Sequence, residues 1–228
     1  LAVERNKPQS REHLMALFWP EMPPKRASSN LSQALYNLTR RLQNGDAEQP
    51  YLLRTHESVQ FNPQRDFWLD VEEFKQQFDQ ASNDGDKAAL SQALELYQGD
   101  FLAGFGLDGS QAFDEWLLIE RHRLQRRALL GLGKLAERYA QDGDLDAALR
   151  YAWWQVDLDP LNEPATRQVM RLLEENGQRS QALSQFERLR VMLSEELAVQ
   201  PEGKTVALRD QIRGQSTGVG ISVQRHDN

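Results

Sequence analysis

The stretch GFGLDG places Gly104, Gly106 and Gly109 in the G-x-G-x-x-G spacing of a dinucleotide loop. That chemistry needs an apolar strand directly before the loop, so that a helix N-terminus can face the pyrophosphate. The preceding ALELYQGDFLA reads instead as a helix and a loop, which makes these glycines a connection between helices. A second pattern, DGDLDAALRYAW, opens like a calcium loop with Asp142, Asp144 and Asp146. It then puts Ala147 where the turn glycine belongs and Trp153 where the bidentate acid belongs. His13, His56, His122 and His226 stand alone, and neither H-E-x-x-H nor G-x-S-x-G occurs. The chain has no cysteine, which excludes disulfides, thiolate zinc sites and thiol nucleophiles. No catalytic residue, metal or cofactor is expected, and the chain does not read as an enzyme.

A different chemistry is offered by ASSNLSQALYNLTRRL, residues 27–42. Leu31, Leu35, Leu38 and Leu42 make a helical apolar stripe with Ala34 beside it. The opposite face carries Ser29, Gln33, Tyr36, Asn37 and Arg40, which are mostly uncharged hydrogen-bonding groups rather than the Glu/Lys mixture of a solvated face. Charge is distributed to match. Residues 1–66 hold nine Lys/Arg against seven Asp/Glu, and residues 67–228 hold 18 against 27, so the net charge of −7 belongs to the second part. An acidic bulk argues against nonspecific polyanion binding, whereas the first segment alone can approach nucleic acid.

The elements that position this face follow from the punctuation. Ser10 caps a short helix, REHLMALFW, with Leu14, Leu17 and Phe18 inward, and Pro20, Pro23 and Pro24 stop it. Ser28 or Ser29 is expected to cap the next helix. After a polar stretch over 43–50, YLLRTHESVQFNP reads as a hairpin turning at His56–Ser58 and closed by Pro63. Helix, turn, helix and hairpin is the order of a winged helix-turn-helix, whose second helix enters the major groove. The opening LAVERNKP reads as a helix end without an initiating Met, so an upstream part is expected.

Beyond residue 68 the periodicity is helical. Asp70 and Glu73 form a capping-box pattern, Asn83–Asp86 makes a turn, and a long segment over 110–140 brings Phe113, Leu117, Leu124, Ala128, Leu132, Leu135 and Tyr139 near one face. Gly143, Ala148 and Ala152 recur 34 residues later as Gly177, Ala182 and Phe186, and 34 is the tetratricopeptide period. Leu132, Leu135, Ala136, Tyr139, Gly143, Ala148 and Pro160 fall at the repeat's spacings, while the second unit is degenerate. Arg121, Arg123, Arg126 and Arg127 read as a solvated face pairing with Asp114, Glu115 and Glu120, with binding of a phosphate or a protein partner as the rival. Trp153 and Trp154 cannot both face the core, so one is expected inside and the other at a contact. The fold class is mainly α: a truncated winged helix-turn-helix over 1–68, an all-α tetratricopeptide-like domain over 69–213, and a flexible tail over 214–228. No apolar run approaches the roughly 18 residues of a membrane span, no secretory signal opens the chain, and a reducing, cytoplasmic setting is expected.

Four stretches, SREHLMALFWP…SSNLSQALYNLTRRL, YLLRTHESVQFNP…FWLDVEEF, LYQGDFLAGFGLDGSQAFDEWLLIERHRL and LDPLNEPATRQVMRLLEENGQRSQALSQFERLR, carry a resemblance. Over residues 1 to about 213 the chain resembles bacterial transcriptional activator domain proteins, the antibiotic-regulatory-protein (SARP) type of regulator. The resemblance implies an OmpR-like winged helix that binds double-stranded promoter DNA. It also implies a tetratricopeptide-like domain serving homodimerisation and contact with RNA polymerase. It makes Ser29, Asn30, Gln33, Tyr36 and Asn37 the base-contact candidates, Asn and Gln being suited to adenine edges. Arg26, Arg40 and Arg41 become phosphate clamps, and Arg54, Thr55 and His56 the wing tip. Trp153, Trp154, Arg123 and Arg127 are the partner-contact candidates. The rival reading is a protein-interaction or signalling module whose winged helix is itself a protein contact.

Overall fold

The computed structural model describes residues 1–42, 50–107 and 109–214. Of the polar stretch expected over 43–50 and the flexible tail expected over 214–228, residues 43–49 and 215–228 lie outside the described residues. The elements run β1 (Gln9–Ser10), α1 (Arg11–Phe18), α2 (Pro24–Leu42), β2 (Leu52–Arg54) and β3 (Ser58–Phe61). They continue as α3 (Asp70–Asp84), α4 (Lys87–Glu95), α5 (Gln111–Gln141), α6 (Leu145–Leu158), α7 (Glu163–Glu175), α8 (Arg179–Glu196) and α9 (Gly203–Gly214). The protein is mainly helical, with one small antiparallel sheet ordered β1-β3-β2 among the described residues.

Contacts gather these elements into two compact units. One comprises Leu1–Asp84 and Gln92–Gln125; the other comprises Gly85–Ser91 and the chain from Arg126 onward. In the first unit α3 and the first half of α5 pack with the opening segment: Arg5 pairs with Glu72 at 2.8 Å, and the Phe18 and Phe113 rings lie 5.9 Å apart.

In the first unit, α1 starts where Ser10 leaves extended backbone and its hydroxyl accepts the His13 N–H at 3.0 Å, the cap expected from the sequence. The hairpin is also present, with Leu52 opposite Phe61 and Arg54 opposite Val59. A third strand was not legible: Gln9 and Ser10 pair with Val59 and Ser58, and two residues are too few to show alternation. The expected helix end at the start is a run of turns, in which the Glu4 N–H reaches the Leu1 carbonyl at 3.2 Å. Leu14, Leu31, Leu35, Leu52, Val59 and Phe61 form the core that joins both helices to the hairpin. The capping box at Asp70 does not form. The Leu69 carbonyl accepts the Glu73 N–H, and the Asp70 carboxylate accepts from Val71, so Asp70 sits inside the helix. Ser110 caps α5, accepting from the Phe113 N–H at 3.2 Å and donating to the Leu17 carbonyl at the end of α1.

In the second unit, the 34-residue repeat is structural. Gly143 and Gly177 take φ of +80° and +72°, the left-handed conformation that ends a helix and that glycine adopts without penalty. Ala148, Ala152, Ala182 and Phe186 are buried at the helix crossings that follow. Asp144 and Asn162 cap α6 and α7 through the Ala147 and Ala165 N–H groups, each at 3.0 Å. The first turn of α9 is held by a buried acid: Glu163 accepts from the Glu202 N–H and from the Thr205 hydroxyl, the latter at 2.6 Å.

Candidate nucleic-acid interface

The polar face lies on α2, which begins earlier than its serines suggest. The Pro23 carbonyl accepts the Ala27 N–H at 3.0 Å, and Pro24 occupies the first helical position, where its fixed φ fits and no donor is lost. Ser29 is therefore interior, its hydroxyl bonding back to the Lys25 carbonyl at 3.1 Å, and neither Ser28 nor Ser29 is the cap. Ala27, Leu31 and Leu35 are buried and Leu42 packs on the same core. Leu38, 39% exposed, does not join them, and Ala34 is exposed as well. At 100° per residue, Leu38 falls about 40° and Ala34 about 80° to one side of the direction shared by Leu31, Leu35 and Leu42.

On the far side, Arg26, Ser29, Asn30, Gln33, Tyr36, Asn37 and Arg40 fall within an arc of about 120°. All are exposed except Asn30, which is half-buried and donates to the Met22 sulfur in the turn between the helices at 3.2 Å. Tyr36 is 57% exposed, a large ring open to solvent. The Gln33 amide donates to Asn37 Oδ1 at 3.1 Å. That leaves a carbonyl oxygen on Gln33 and an amide donor on Asn37 for another molecule. The helix contains no acidic residue. Its cations are Lys25 and Arg26 in the first turn and Arg40 and Arg41 in the last, a net +4 in a chain of −7. Arg26 and Arg40 are separated by about 21 Å along the axis, with neutral hydrogen-bonding groups between them.

The wing is a tight turn. Thr55 accepts from the Glu57 and Ser58 N–H groups at 3.2 and 2.9 Å, and its own N–H reaches the Ser58 carbonyl. Arg54 and His56 are exposed on it. Arg11 brings wing and helix together: its N–H donates to the Glu57 carbonyl at 2.8 Å and its guanidinium to the Ser32 hydroxyl at 2.9 Å. Sequence reasoning missed Arg11, because nothing in RE at a helix start marks a residue that will bridge two other elements.

The remaining candidates lie on α5 and α6. Arg123 pairs with the buried Glu120 at 2.6 Å, and Lys75 reaches the same carboxylate at 3.5 Å. Arg121, read as part of a solvated run, instead binds the Phe101 and Leu102 carbonyls at 2.8 and 2.7 Å. Arg127 is half-buried. Trp153 and Trp154 are both half-buried, so neither is a core residue and neither is fully exposed. The described glycines of GFGLDG follow α4 and a turn rather than a strand, and Asp144 of the second pattern is committed to its cap. Among the described residues no group of three His, Cys, Asp or Glu could hold a metal ion, and no helix is long and apolar enough to cross a membrane.

Comparison with known proteins decides what kind of chain carries this helix. The model of the bacterial transcriptional activator domain matches residues 69–213. The chain belongs to that family. Mycobacterium tuberculosis EmbR, solved in complex with a low-affinity phosphopeptide, shares the fold with a TM-score of 0.72 at 21% identity. The match covers 94% of this chain and 57% of EmbR, so the chain spans little more than half of that protein's length. A C-terminal TPR-containing domain of a Plasmodium falciparum FK506-binding protein aligns at a TM-score of 0.44 and 12% identity, over 66% of this chain and 94% of that one. No curated protein matches. A bacterial transcriptional activator domain is a regulatory module rather than a catalyst, in keeping with the sequence resemblance to SARP-type regulators.

Proposed function

We propose that the chain reads promoter DNA through α2 and activates transcription through the helical segment of residues 69–213. The observation that carries this reading is the outer face of α2: four cations at its ends, no acid, and an uncharged hydrogen-bonding arc between. In this reading Ser29, Asn30, Gln33, Tyr36 and Asn37 meet base edges in the major groove. The bonded Gln33–Asn37 pair offers one acceptor and one donor, the complement of adenine N6–H and N7. Arg26, Arg40 and Arg41, joined by Arg11 and by Arg54, Thr55 and His56 of the wing, contact phosphates and fix the register. The 69–213 segment serves dimerisation and RNA polymerase contact, with Trp153, Trp154, Arg123 and Arg127 as contact residues, in the bacterial cytoplasm.

Selection from a pool of randomised duplexes tests this reading. Enrichment of one motif, protected from cleavage in a footprint, is the expected result. Recovery of the pool unenriched would favour the rival, in which α2 contacts a protein.

A further inference from the structure

Within the first unit, the opening turns, α1, the start of α3 and the 96–105 connection line an open-sided cavity of about 1000 Å³. Its walls are rich in rings, among them Phe74, Tyr97, Phe101, Phe105, Phe113 and Trp116. These rings touch one another. Phe113 lies 5.5 Å from Trp116 and 5.8 Å from Phe105, Phe101 lies 5.9 Å from Trp116, and Phe74 lies 5.9 Å from Tyr97. Phe105 remains 51% exposed and Trp68, on the same lining, 67%.

The charge of the lining is one-sided. The half-buried Glu4 and the exposed Asp70 and Asp100 contribute three carboxylates, against one basic side chain, His13, and no lysine or arginine. None of the three forms a salt bridge with a lysine or arginine among the described residues. Tyr97 is 7% exposed, and its hydroxyl has no hydrogen-bond partner among the described residues. Burial, and then the Asp100 charge, push that hydroxyl's pKa up, so it is a neutral donor.

We propose that this cavity binds a small organic cation with an apolar, ring-bearing body. Ring faces attract a cation, and the carboxylates of Glu4, Asp70 and Asp100 on the same wall add a complementary field. The volume matches the upper part of the roughly 300–1000 Å³ range of small-molecule sites. An anion of the same shape meets the field with the wrong sign. The site is distinct from α2 and does not depend on that helix reading DNA.

Titration of the full chain with tetraphenylphosphonium, followed by tryptophan fluorescence, tests the proposal against tetraphenylborate, which has the same shape and the opposite charge. Saturable quenching by the phosphonium, about tenfold or more tighter than by the borate, is expected. The variant E4Q/D70N/D100N should erase that preference, and Phe105→Ala should weaken phosphonium binding several-fold. A variant of equal charge change elsewhere, E137Q/E195Q/E196Q, should keep the preference and so separates the site from the chain's overall charge. Thermal melting shows that the variants are folded, and D100N alone replaces the triple variant if it is not. Equal affinity for both ions, a preference that survives loss of the cavity carboxylates, or no saturable binding because another segment or a second copy fills the space would each overturn the proposal.

Discussion

Replacing Asn37 by alanine removes one half of an amide pair whose other half, Gln33 Nε2, lies 3.1 Å away. Both side chains are exposed, and a hydrogen bond at i, i+4 on a helix surface contributes about 0.2–0.5 kcal/mol. The fold should therefore lose almost nothing. Loss of a bidentate base contact instead costs about 1–3 kcal/mol, which weakens the cognate duplex about 5- to 150-fold. Gln33→Ala should behave alike. In the proposed reading the two amides meet one base as a unit, so the double variant should cost less than the sum of the singles. Fluorescence anisotropy on the selected duplex, and on duplexes changed at one base pair, measures affinity and specificity together, with thermal melting as the control for folding. Unchanged affinity and specificity in both variants, accompanied by a drop in melting temperature, would refute the reasoning and assign these amides to the fold.

Three further outcomes follow from the packing. Leu35→Ala, at a position 3% exposed, should destabilise by about 2–5 kcal/mol, whereas Leu38→Ala should stay within about 0.5 kcal/mol in the same denaturant titration. Glu163→Ala leaves the Glu202 N–H and the Thr205 hydroxyl without their acceptor, and should cost about 1–3 kcal/mol, with the largest gain in amide exchange on α9. Gly143→Ala forces a side chain into φ of +80° and should cost about 1–2 kcal/mol; the matching change at Gly106, which has no positive φ, should cost less on urea unfolding.

The local signals in the sequence were the readable ones. The Ser10 cap, the hairpin and the glycines at positions 143 and 177 each depend on a few neighbouring residues, and each stands where the pattern put it. The start of α2 was misread because Pro24 begins the helix without a side-chain cap, which makes Ser28 and Ser29 false signals. Leu38 was misread because an i, i+7 step looks continuous in sequence, although the buried direction is set by what α1 and the hairpin cover. Arg121 and Arg11 were out of reach: their partners are loop carbonyls and a hydroxyl 19 to 46 residues away. The cavity was invisible for the same reason, being assembled from segments that share no pattern. The polar face of α2 was visible because it is a property of one helix.

Salt dependence of binding to the selected site shows whether α2 contacts duplex DNA. Log K should fall linearly with log salt, at about 0.9 per neutralised phosphate. Arg26→Ala and Arg41→Ala should each flatten that slope by about one unit and weaken all duplexes alike. Lys134→Ala, an exposed lysine on α5, should leave it unchanged. A slope near zero, or one that the α2 arginines do not alter, would contradict the account.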